Sequence, residues 1–263
     1  MSDTDVADVG SGPTVVLSHG TLLDRTMFAP QTAALASRYR TLAYTSRPGT
    51  SRFATDHSLD DLVADCVDVV DRAGPDRFVL VGMSVGGFMA IELALRHPER
   101  VAGLVLMSTQ AAAYTSEERR AFGRLLEPLD TDGPIPEHVV EAFRPVIFGA
   151  EALAVRTDLV DRWTASWRRR PARSLHREYR SWIDKPDRLA DLSRITAPVL
   201  VMHGEEDAGI SIDHARAMHE RLPYSHFAPI AGAGHLVTEE RPAAVSEALA
   251  DFLDTLTPWG GTS

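Results

Sequence analysis

Cysteine is almost missing: the chain of 263 residues carries one, Cys66. A lone thiol cannot close an internal disulfide, which argues against a disulfide-stapled secreted scaffold and suits a reducing, cytoplasmic compartment. Lysine is equally scarce, Lys185 being the only one, so the basic side is almost all arginine. Positive charge in excess is also lacking: the formal net charge is -10. Without a basic face to displace counterions from phosphates, no nucleic-acid partner is expected. No apolar run reaches the roughly 20 residues of a membrane span. The opening stretch, Met1 to Gly12, is acidic and Gly-containing rather than basic and then apolar, so neither a secretion signal nor a membrane anchor is expected.

What is present is ordinary globular composition, 44% hydrophobic and 24% charged, enough for one large α/β domain with an insertion. Runs rich in Val and Leu recur at Thr14 to Ser18, Arg40 to Tyr44, Phe78 to Val81, Gly103 to Met107 and Val199 to Met202, with a weaker one at Ser225 to Ile230. Continuously apolar strands separated by helices predict a parallel sheet covered on both faces. Ser58 is placed to cap a helix over 59–72, whose stripe of Leu62, Val63, Cys66, Val69 and Val70 faces the core before Gly74-Pro75 ends it. Helices are also expected over 213–222 and 242–256. Over 113–190 the alternation of strand and helix stops, and the sequence becomes helical and aromatic, with Trp163, Trp167, Tyr179 and Trp182 among many arginines. That segment reads as a helical lid inserted between core portions 1–112 and 191–263.

Chemistry concentrates at Val81-Gly82-Met83-Ser84-Val85-Gly86-Gly87, where the strand 78–81 runs directly into a helical pattern over 87–96. A strand that reverses sharply into a helix strains its turn residue and needs small neighbours, which Gly82 and Gly86 supply. The Ser84 hydroxyl then projects into open space, and the helix N-terminus offers N–H groups suited to an oxyanion. The segment lacks the lysine of a phosphate-cradling loop.

With that motif in its strand and helix context, the chain resembles α/β-hydrolases of the group containing 3-oxoadipate enol-lactonases, cofactor-free haloperoxidases and related esterases. Ser18-His19-Gly20-Thr21 at the end of the first strand, and Phe28-Ala29-Pro30-Gln31 beyond it, match the family's pattern. The resemblance implies an α/β-hydrolase fold, a mostly parallel doubly wound sheet with a helical lid insertion. It also implies an oxyanion hole made by the backbone N–H groups of Thr21 and Val85, with no metal and no organic cofactor. One departure concerns the loop after the second strand. Where relatives carry D-x-R-G-x-G-x-S, this chain has Thr45-Ser46-Arg47-Pro48-Gly49-Thr50-Ser51. The stretch before Thr14 is also too short for the two-strand hairpin that usually opens the fold, so an edge strand is expected to be missing or irregular.

A serine hydroxyl is a weak nucleophile until a base takes its proton, and the base needs an acid to hold its tautomer. Of the ten histidines, His235 in Ala231-Gly232-Ala233-Gly234-His235 follows the last strand, where the family places its base. His97, His203, His214 and His219 read as helix-end, strand-end or surface residues. Asp207 closes His203-Gly204-Glu205-Glu206-Asp207 with the family's G-x-x-D spacing, Glu205 and Glu206 fitting less well. The order Ser84, Asp207, His235 is the order expected of this fold. After the strand ending at Met107 the chain reads Ser108-Thr109-Gln110, so the alternative acid position is empty.

The expected reaction is cleavage of a small ester or lactone through an acyl-enzyme. The same residues could instead serve acyl transfer, C–C bond hydrolysis or cofactor-free peroxidase chemistry, and a ligand receptor on a hydrolase scaffold is the remaining alternative. From Arg156 to Arg188 ten basic residues face five acidic ones. The excess fits either a carboxylate-bearing substrate or a solvated helix face. Oligomeric state is not legible.

Overall fold

Strands that read as unbroken apolar runs become the middle of the sheet, since only there are both of their faces covered. The computed structural model describes residues 5–256. Residues 1–4 of the acidic opening stretch, and 257–263, lie outside the described residues. Among the described residues seven strands form one sheet in the order β1-β3-β2-β4-β5-β6-β7. They are β1 (Val6–Val9), β2 (Thr14–Ser18), β3 (Arg40–Tyr44), β4 (Phe78–Met83), β5 (Val101–Met107), β6 (Val199–Gly204) and β7 (Ser225–Ile230). Every residue of β2, β4, β5 and β6 is buried. All pairings are parallel except β1 with β3. Among the described residues the stretch before β2 supplies one largely exposed antiparallel edge strand, β1, whose Val6 and Val9 stay exposed.

The crossovers are α1 (Ala29–Leu35), α2 (Leu59–Ala73) and α3 (Val85–Arg96). Ser58 caps α2 as expected: its hydroxyl accepts the Asp61 N–H while the Asp61 carboxylate accepts the Ser58 N–H, and Gly74 ends the helix at φ 91°. Between β5 and β6 come α4 (Ser116–Leu126), α5 (Glu137–Ile147), α6 (Ala150–Val155), α7 (Thr157–Arg169) and α8 (Ala172–Trp182). Their aromatic residues are spent on packing. Trp167 stacks on Phe148 at 5.7 Å, and Trp182 meets Tyr114, Phe122 and Tyr179 at 5.2–5.6 Å. After β6 follow α9 (Ile212–Arg221), β7, α10 (Val237–Glu240) and α11 (Pro242–Thr255). Among the described residues no helix is long and apolar enough to cross a membrane.

Parallel strands send their carboxyl ends to one edge of the sheet, and ligand sites of open α/β sheets form there. Ser84 follows β4, Asp207 follows β6 and His235 follows β7, so all three stand along that edge.

Candidate active site

Ser84 has φ 54° and ψ -116°, a conformation costly for a residue with a Cβ. The surrounding structure holds it there. The Ser84 N–H donates to Met107 O at 2.9 Å, and the Ser84 carbonyl accepts the Thr109 hydroxyl and the Gly87 N–H, each at 2.8 Å. The flanking glycines are needed for space: a Cβ on Gly86 would overlap the carbonyl of Ser18, and one on Gly82 the carbonyl of Gly86. Val85 begins α3, so its N–H belongs to the helix turn that has no intrahelical acceptor. The loop after β2 lies against this turn, since a Cβ on Gly20 would stand 2.8 Å from Ser84 Cβ. Thr21, next along that loop, is buried beside it.

Asp207 and His235 meet directly, with His235 Nδ1 2.7 Å from Asp207 Oδ2. The carboxylate's other oxygen accepts the N–H groups of Gly209 at 2.8 Å and Ile210 at 2.9 Å. His203 is a third partner, its Nε2 3.1 Å from Asp207 Oδ2 and 2.8 Å from Ile210 O. Both contacts are acceptors, so Nε2 carries the His203 proton. Burial alone would push the Asp207 carboxyl up, but the facing His235 and His203 outweigh it and hold the group well below the usual carboxylate range. Such an acid stays ionised and fixes the proton of His235 on Nδ1, leaving Nε2 free to accept one.

With this geometry in view, the alpha/beta hydrolase family matches residues 15–248. The chain belongs to that family. It is 32% identical over 259 residues to a protein of Variovorax paradoxus provisionally named carbamate hydrolase RutD, covering 95% of this chain and 94% of that one. It is 24% identical to 3-oxoadipate enol-lactonase 1 of Acinetobacter baylyi, covering 94% and 90%. Among solved structures it resembles a malate-bound thermophilic esterase of Thermogutta terrifontis, with TM-score 0.89, 26% identity, and 95% and 93% of the two chains covered. The resemblance to enol-lactonases and esterases seen in the sequence is therefore borne out, and the protein is a hydrolase with an α/β-hydrolase fold.

Several residues that frame the site of this hydrolase had no assigned role in the sequence. His203 ends strand β6 as the sequence suggests, and from there its ring also reaches Asp207. His19 ties two loops together: its Nε2 accepts the Ser46 N–H at 2.9 Å, so Nδ1 carries the proton toward Gly20 O at 2.8 Å. Burial pushes His19 down to about 4, so it stays neutral and, with both nitrogens occupied, offers no base. The divergent loop 45–51 is fixed by that bond and by Arg47, which makes a bidentate pair with Asp65 at 2.9 and 2.8 Å. The arginines of 156–188 are mostly paired: Arg162 with Glu239, Arg168 with Glu137, Arg173 with Asp130, Arg177 with Asp56 and Arg188 with Glu92. Those acids lie outside 156–188, where counting residues in the local segment could not find them.

Proposed function

We propose that this hydrolase cleaves a small ester or lactone through an acyl-enzyme, with Ser84 as nucleophile, His235 as base and Asp207 as acid. The Asp207–His235 hydrogen bond, at the same sheet edge as the strained Ser84 turn, is the observation that carries the reading. His235 Nε2 takes the Ser84 proton as Oγ attacks the carbonyl carbon, and returns it to the leaving oxygen. The N–H groups of Thr21 and Val85 receive the oxyanion, each worth roughly a hundred- to a thousandfold in turnover. Water activated by His235 then releases the acid and regenerates Ser84. Residues 113–190 act as a lid over core portions 1–112 and 191–263, and set the choice of substrate.

A carbamate is the second reading, favoured by the name of the relative at 32% identity. Its carbonyl invites the same attack, although nitrogen donation makes it less electrophilic. Purified protein offered an activated ester, an enol-lactone and a carbamate should separate the two by kcat/KM. A fluorophosphonate probe should label Ser84, and Ser84→Ala should remove both labelling and hydrolysis while the circular dichroism spectrum is unchanged. Wild-type activity in that variant overturns the assignment.

A further inference from the structure

Both residues flanking His235 are fastened to one turn of the lid. On the far side, the Leu236 N–H donates to Ile147 O at 3.0 Å. On the near side, the Gly234 N–H donates to Glu240 Oε2 at 3.1 Å, and the same oxygen accepts the Gly149 N–H at 3.0 Å. Glu240 ends α10, the short helix directly after His235, and is 3% exposed. Its other oxygen, Oε1, has no hydrogen-bond partner among the described residues, so its hydrogen bonding is concentrated at Oε2.

The glycines make this junction possible. A Cβ on Gly149 would stand 2.8 Å from Gly234 N and 2.9 Å from Glu240 Oε2, and one on Gly234 would overlap Gly149 N. The preceding residue, Glu239, ties a second lid helix, accepting from Trp163 Nε1 and Arg162 Nη2 at 2.6 Å each. The acid loop joins too: Glu206 accepts the Ala150 N–H at 3.3 Å and donates its own N–H to Ala233 O at 2.9 Å.

We propose that Glu240 is a positioning residue for His235, its carboxyl oxygen clamping the peptide before the base to the lid turn at Gly149. The proposal rests on His235 being the base. A buried carboxyl is costly unless it is hydrogen-bonded, and here two backbone donors converge on one oxygen. Burial pushes the carboxyl above its ordinary range while the two amides oppose this, so a neutral acceptor of the same shape should serve nearly as well. Ile147 and Gly149 are tied to the residues on either side of His235, so a shift of the turn at 147–149 would carry the base with it.

The test compares Glu240→Ala, Glu240→Gln and wild type well below the melting temperature of each, reading ester hydrolysis and amide hydrogen exchange. In Glu240→Ala, kcat should fall by roughly ten- to a hundredfold with KM little changed, because a small displacement of a reacting group is costly. Exchange at Gly149 and Gly234 should quicken together. Glu240→Gln, which keeps the accepting oxygen, should recover most of both. Should Glu240→Ala not fold, Glu240→Asp, whose carboxyl falls one methylene short, should show the same losses. A folded Glu240→Ala with wild-type kcat and unchanged exchange overturns the clamp, as does a Glu240→Gln impaired equally with Glu240→Ala. Retained hydrolysis in Ser84→Ala would instead bring down the triad, while the exchange comparison still decides whether the clamp exists.

Discussion

Asp207 can stay ionised with a fully buried side chain because its oxygens are satisfied by two backbone N–H groups and two imidazoles. Its carboxyl is depressed in the folded chain, so its ionised form stabilises the fold above the unfolded value of about 4, and the contribution is lost as pH falls below that. Wild type should therefore exceed Asp207→Asn in stability at neutral pH, with the gap closing in acid; parallel urea melts across pH 3 to 7 check this, and a constant gap would contradict it. The same variant should lose about 10⁴-fold in kcat, through the wrong imidazole tautomer. Cys66 gives a contrast at the same scale. Buried and beside Tyr44, its thiol is pushed up to about 12, so alkylating reagents should label it only after unfolding.

Among elements, the strand–turn–helix of β4 and α3 has the least freedom. Its turn touches the end of β2 through Gly86 and the residues after β5 through Thr109, so three strands must be in register before Ser84 is placed. Gly86→Ala would drive a Cβ into the Ser18 carbonyl, a backbone atom that cannot swing away. That variant should lose roughly 1–3 kcal/mol of stability and most of its phosphonate labelling, measured by thermal melts and gel fluorescence. Ser58→Ala removes only a cap remote from the site and should cost about 1 kcal/mol with labelling unchanged.

For the molecule as a whole, charge matters more than any single pair. With a net charge of -10 and the arginines of 156–188 largely engaged with carboxylates, the long-range field opposes an anionic substrate. Added salt should therefore raise kcat/KM for a carboxylate-bearing ester while leaving a neutral ester unaffected, because screening removes the repulsion. A fall with salt would mean that unpaired arginine acts on the substrate. Sequence alone could not separate these cases, since the acids that neutralise the arginines come from α3, α5, α10 and loops outside the segment 156–188.

Much of the core was legible because its signals are local. Burial on both faces makes β2, β4, β5 and β6 continuous apolar runs, and the strain of the Ser84 turn demands glycines within two residues of it. The order of Ser84, Asp207 and His235 could likewise be read, since each follows a strand ending at the same sheet edge. Edge strand β1 was missed: largely exposed and short, it carries no apolar run. Also hidden were His203 against Asp207, His19 between two loops, and Glu240 between Gly149 and Gly234. Each of these contacts depends on where one loop lies against another, a distance that only the packed tertiary structure sets.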